Sequence, residues 1–163
     1  MAEDNILIDI IAEMIVDSDA TLVFASNVYK KLFIAETNFI VDLYKSKDMV
    51  ISLENARKEA EAYILRILKL LVSMDETFKN IEVNFYEKAS GKSVDYEQMF
   101  QLTNGGSDPR YIQHVYKEVS LNTEEVRLYT FMLATAFCAY TGNLEEPASK
   151  VLNTLLGLAL KED

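Results

Sequence analysis

LENARKEAEAYILRILKLLVSM, residues 53–74, has the most regular hydrophobic pattern in the chain. Its apolar side chains recur alternately three and four positions apart, which places them on one side of an α-helix. They are Leu53, Ala56, Ala60, Tyr63, Ile67, Leu70 and Met74. Ile64, Leu68 and Leu71 widen this stripe beyond the narrow seam of a coiled coil. The stretch therefore predicts a helix, capped by Ser52, in an antiparallel bundle.

Similar patterns predict two helices before this stretch and three after it. The first two are expected over residues 5–16 and from Ser18 or Asp19 to about residue 47. The later three should begin at Pro109, at an Asn122 cap and at an Asn143 cap. From Leu128 onward the second of these is apolar nearly all round, so it should be the central helix, and Gly142 should end it.

Between the two sets of helices, the sequence changes to an alternating pattern. Ile81, Val83 and Phe85 alternate with more polar neighbours and with Tyr86, and a glycine-containing loop follows at residues 88–93. Together with a return strand containing Tyr96, this pattern predicts a small β-hairpin. The glycine-rich residues 104–107 then supply a hinge.

These elements predict a mainly α fold, a compact bundle of about six helices with one small β-hairpin inserted mid-chain. A chain of 163 residues with 50% hydrophobic content is the size of a single domain. We expect one helical domain over residues 1–163. It would consist of a helical half at 1–78, the hairpin and hinge at 79–107, and a second helical half at 108–163.

The charge balance is strongly acidic. The chain has 16 Lys and Arg residues and 26 Asp and Glu residues, which gives a net charge of -10. This balance favours a basic partner and argues against direct binding of nucleic acid or anionic lipid. Acidic residues follow Met1, and polar residues interrupt the longest uncharged stretch, so neither a signal peptide nor a membrane span is expected. The predicted location is cytoplasmic.

None of the residue patterns that usually mark catalysis is complete. Gly91-Lys92-Ser93 resembles the end of a phosphate loop, but Tyr86 stands where the first glycine is required. His114, the only histidine, should face solvent, and Cys138, the only cysteine, should be a buried apolar residue. No Glu-x-x-His pair for a carboxylate metal site is present. We therefore expect no catalytic residue, no metal and no cofactor.

Two groups of residues are candidate contacts for a protein partner. Asp9, Glu13 and Asp17 are four apart and would form an acidic stripe on the first helix. This stripe could be a solvated face, or it could contact a basic partner or lysines of a second copy. The aromatic residues of the predicted hairpin, Phe85, Tyr86 and Tyr96, form the other group.

The leading hypothesis is a non-enzymatic binding protein, such as an inhibitor, an immunity-type protein, an adaptor or an assembly subunit, that engages a basic protein. The alternative is a small structural subunit of a nucleoprotein or virion assembly. A helical enzyme with an unrecognised site is the third hypothesis.

Overall fold

The structure, a computed structural model, describes residues 18–72, 80–93, 109–142 and 146–161. All regular secondary structure in these ranges is α-helical. The six helices are α1 (Ser18–Ser46), α2 (Leu53–Leu70), α3 (Asn80–Ser90), α4 (Pro109–Ser120), α5 (Glu124–Thr141) and α6 (Glu146–Ala159). The predicted helical bundle is thus confirmed, while the helix predicted at residues 5–16 lies outside the described ranges.

Helices α1 and α2 form an antiparallel pair. A six-residue turn joins them, and Asp48 in this turn adopts a left-handed conformation with φ 55°. The Ser52 side chain caps α2 by accepting a hydrogen bond from the Asn55 backbone N–H at 3.1 Å. Near the turn, the Tyr44 hydroxyl donates to Glu59 at 3.0 Å. The strongest hydrophobic pattern in the sequence therefore forms the helix that it predicts.

The predicted hairpin is wrong, because residues 80–90 form helix α3. Phe85 and Tyr86 are 0% and 1% exposed, whereas Ile81 is 44% exposed. Two adjacent side chains can share one side of a helix, but in a strand they point to opposite faces. Val83, Tyr86 and Ala89 are also buried at helical spacing. The predicted strand requires Ile81 to be buried together with Val83 and Phe85, and the exposure of Ile81 breaks that alternating pattern.

Helix α5 is the central element, as its composition predicts. It packs against α1, α2, α3, α4 and α6, and residues 133–139 are buried without interruption. Gly142 ends it in the left-handed conformation, with φ 71°. The predicted cap at Asn122 is wrong by one residue: the Thr123 hydroxyl accepts the capping hydrogen bond from the Val126 N–H at 3.2 Å.

One contiguous hydrophobic core contains side chains from all six helices. Within it, the rings of Phe85 and Phe137 meet edge to face at 5.2 Å between centroids. The Tyr63 hydroxyl lies 2.8 Å from the Thr130 hydroxyl and links α2 to α5. A smaller apolar cluster, Ile40 with Ala56 and Ala60, holds the α1–α2 pair together nearer the turn. This second cluster lies beside the cleft described next.

Candidate binding cleft

A cleft of about 560 Å³ lies between α1, α2, α4 and the turn from α4 to α5. Its walls combine apolar side chains with charged and amide groups. The lining residues are Glu36, Phe39, Ile40, Leu43, Lys47, Glu59, Ala62, Arg66, Glu118, Leu121 and Asn122. The volume lies within the range typical of small-molecule sites, roughly 300–1,000 Å³.

Helical spacing arranges these side chains along the cleft. On α1, Glu36, Ile40 and Leu43 follow one another three or four residues apart, and the helix rises about 10 Å over that span. Lys47 comes directly after the end of this helix. Because α2 runs in the opposite direction, Arg66 lies toward the Glu36 end of the cleft. The cleft therefore has a polar inner end, an apolar middle and a charged outer end near the α1–α2 turn.

Glu36 is the most unusual residue of the inner end. It is only 4% exposed, and the Asn122 side-chain amide donates a hydrogen bond to its Oε2 at 2.7 Å. Burial raises the pKa of Glu36 to about 7, against a smaller lowering by the Asn122 hydrogen bond. Glu118 and Glu59 also raise this pKa, whereas Arg66 lowers it. A carboxyl group with this pKa gains or loses its proton near neutral pH.

Arg66 and Glu118 form a bidentate ion pair across the cleft. The Arg66 Nε and a terminal guanidinium nitrogen each donate to one Glu118 oxygen at 3.0 Å. The two side chains are 32% and 29% exposed. This fork geometry matches the guanidinium to a single carboxylate and fixes the α2–α4 wall. These two hydrogen bonds use two of the five N–H donors of the guanidinium.

Buried Arg127 holds the turn that carries Asn122. Arg127 is 1% exposed, and its guanidinium donates to the backbone carbonyl oxygens of Asn122 at 2.6 Å and of Lys161 at 3.1 Å. A charged donor on a buried carbonyl makes a stronger hydrogen bond than a neutral donor. The Asn122 amide is thus positioned over Glu36 by an anchor that also reaches the end of α6.

The side chains that line the cleft are suited to binding a ligand, and the Glu36 carboxyl can hold one proton. Its lining has carboxyl, amide, guanidinium and ammonium groups, but no Ser, Cys or His among the described residues. His114 lies elsewhere, exposed on α4 as predicted. Cys138 is 0% exposed, and burial raises the pKa of its thiol to about 12. Neither group is placed to act on a molecule in the cleft.

The partner-contact residues predicted from sequence have different outcomes. Asp9, Glu13, Asp17 and Tyr96 lie outside the described residues. Phe85 and Tyr86 are buried in the core, so these two side chains are not available at the surface of this fold.

Sequence reasoning missed the cleft, although α1 contains a signal for it. Leu32, Glu36 and Ile40 are four residues apart, so a carboxyl group interrupts the buried stripe of this helix. A charged residue at a core position requires a partner or a shifted pKa. The assignment of Asn122 as a helix cap also hid its side-chain contact with Glu36.

The partial phosphate-loop motif has a structural explanation. Helix α3 ends at Ser90, just before Gly91, whereas a phosphate loop needs a helix to begin after this motif. Lys92 forms an ion pair with Glu61 at 2.7 Å and lies over the Phe33 ring at 5.6 Å. It ties the end of α3 to α1 and α2.

Comparison of the chain with known protein families, curated proteins and solved structures found no match. Within the described ranges, no helix has the length and apolar character needed to cross a membrane. Nor do three or more His, Cys, Asp or Glu side chains in this part of the chain come together as a possible metal site.

Proposed function

We propose that the protein is a non-enzymatic binding protein that engages a basic protein partner. The proposal rests on where the acidic residues lie in the chain. The first 29 residues contain six acidic residues and no Lys or Arg. The remaining 134 residues contain 20 acidic and 16 basic residues, so the one-sided charge is concentrated at the N-terminal stretch.

Five of these six acidic residues lie in residues 1–17. They are Glu3, Asp4, Asp9, Glu13 and Asp17. A concentrated charge of one sign attracts an oppositely charged protein and speeds association more than it changes the final affinity. The same charge repels nucleic acid, which supports a protein as the partner. A cytoplasmic location remains part of this proposal.

A triple substitution tests the proposal. Asp9→Asn, Glu13→Gln and Asp17→Asn remove three charges from the N-terminal segment. A matched control, Asp42→Asn, Glu54→Gln and Glu124→Gln, removes three charges from exposed positions of helices α1, α2 and α5. Affinity capture from the source cell at low salt should recover a basic protein. Surface plasmon resonance then measures how fast the captured protein associates with each variant. We expect about tenfold slower association for the N-terminal variant and little change for the control.

Other results of this capture would contradict the proposal in different ways. Recovery of a nucleoprotein complex would favour the structural-subunit alternative. Recovery of untagged copies of the same protein would indicate a homo-oligomer. An unchanged association rate for the N-terminal variant would exclude the acidic segment as the attracting surface.

A further inference from the structure

We propose that the cleft between α1, α2 and α4 binds a small organic cation, a primary ammonium group on an apolar body, with the ammonium placed against Glu36. This site is independent of the basic protein partner, so either proposal can fail while the other holds.

The pairing of charges in the cleft favours a cation. Arg66 is matched to Glu118 by two hydrogen bonds, and Glu59 accepts from the Tyr44 hydroxyl. Among the described residues, Glu36 receives one hydrogen bond, from the neutral amide of Asn122. Within the described part of the chain, the ionised form of Glu36 is thus a buried acceptor that receives no hydrogen bond from a positively charged donor. A ligand ammonium supplies that donor and favours the ionised carboxylate.

The remaining surface of the cleft favours an apolar body. Phe39, Ile40, Leu43, Ala62 and Leu121 line the space between the inner and outer ends. Covering these side chains removes apolar surface from water, which stabilises a bound hydrocarbon chain. A polar group at one end with an apolar wall beside it is the usual composition of a small-molecule site.

The size of the cleft favours a free small molecule over a lysine side chain from another protein. A volume of about 560 Å³ greatly exceeds what four methylene groups and one ammonium fill. A lysine side chain would leave much of the apolar wall in contact with water. A linear six-carbon amine also covers only part of this wall, so the probes used below test the charge preference of the inner end rather than the fit of the ligand body.

Binding of n-hexylamine, n-hexanol and n-hexanoate, measured by calorimetry at pH 7.5, tests the proposal. These probes share a six-carbon chain and differ in charge. We expect a Kd below about 1 mM for n-hexylamine, and at least tenfold weaker binding of the other two. Equal binding of amine and alcohol, tighter binding of hexanoate, or no binding of the amine would each overturn the proposal.

Variants locate the ammonium. Glu36→Gln keeps an oxygen that can accept from Asn122 but removes the charge, and it should weaken n-hexylamine binding at least tenfold. Glu125→Gln, at an exposed position of α5 outside the cleft, is the matched control and should change nothing. Ala62→Leu narrows the apolar middle and should weaken the amine and the alcohol alike. An unchanged amine affinity in Glu36→Gln would overturn the proposal. If this variant does not fold, the binding of the three probes to the wild-type protein decides whether the proposal holds.

The pH dependence gives an independent readout. Glu36 is faced by Glu59, Tyr63 and Arg66 from α2, by Glu118 from α4 and by Asn122 from the following turn. Since n-hexylamine stays protonated throughout, its affinity should rise between pH 5.5 and 8 as Glu36 loses its proton. Calorimetry in buffers of different ionisation enthalpy should show proton release near pH 6.5. Binding that does not vary with pH would contradict contact with Glu36.

Discussion

At the scale of single residues, Glu36 shows how burial changes the behaviour of an ordinary side chain. The sequence alone gives its position in a buried stripe, between Leu32 and Ile40. It does not give the Asn122 amide, which is 86 residues away along the chain and reaches Glu36 only after the bundle has formed. The inner end of the cleft depends on such long-range contacts, and for that reason local patterns did not reveal it.

The pKa of Glu36 makes stability depend on pH. The pKa is about 7 in the folded protein, compared with an ordinary value of 4.5. Between these values the folded state holds a proton that the unfolded state has lost, so the free energy of unfolding falls as pH rises. Wild type and Glu36→Gln should therefore be equally stable near pH 4. At pH 8 the variant should be more stable by up to about 3 kcal/mol.

Urea unfolding at several pH values measures this difference. Subtracting the free energy of unfolding of the wild type from that of the variant removes the contributions of other titrating groups that the substitution leaves unchanged. A constant difference from pH 4 to pH 8 would show that Glu36 titrates with its ordinary pKa in the folded protein.

At the scale of secondary structure, long patterns were reliable and a short one was not. The eighteen residues of α2 and of α5 each contain several turns of consistent spacing. The eleven residues of α3 contain too few apolar positions to separate a helical period from a strand period. Packing against α1 and α5 resolves that ambiguity, because the helix places Phe85 and Tyr86 in the core together.

Two glycines in neighbouring helices should respond oppositely to alanine. Gly142 ends α5 with φ 71°, where an alanine is strained, so Gly142→Ala should destabilise the protein by about 1 kcal/mol. Gly157 lies within α6, and a Cβ built there meets no atom within 4 Å. Gly157→Ala should therefore stabilise the protein by about 0.4–1 kcal/mol.

Thermal or urea unfolding of both variants checks these signs. Each variant serves as the control for the other, since both add the same methyl group. Destabilisation by both substitutions would mean that the added methyl group, rather than the backbone conformation, determines the effect.

At the scale of the whole molecule, the sequence predicted the helical class and the central position of α5. Both follow from hydrophobic spacing, which local sequence contains.

Cys138 provides a probe of global unfolding. Its side chain is 0% exposed on the central helix, and burial raises the pKa of its thiol to about 12. A thiol reagent such as DTNB should therefore modify it rapidly in denaturant and only through unfolding in native buffer. The logarithm of the native labelling rate under rapid-reclosing conditions should follow the free energy of unfolding across the two glycine variants.

Labelling that is fast in native buffer and equal in Gly142→Ala and Gly157→Ala would contradict this expectation. It would indicate that α5 opens locally, without loss of the surrounding bundle.

The packing of α1 against α5 also affects how the chain can fold during synthesis. These two helices share the most extensive contact in the bundle, yet residues 47–123 separate them. A nascent chain that ends within α4 lacks α5 and the contacts that it makes with α1. Part of the apolar side of α1 therefore stays uncovered until residues 124–141 have left the ribosome, so this helix cannot complete its packing as soon as it is synthesised.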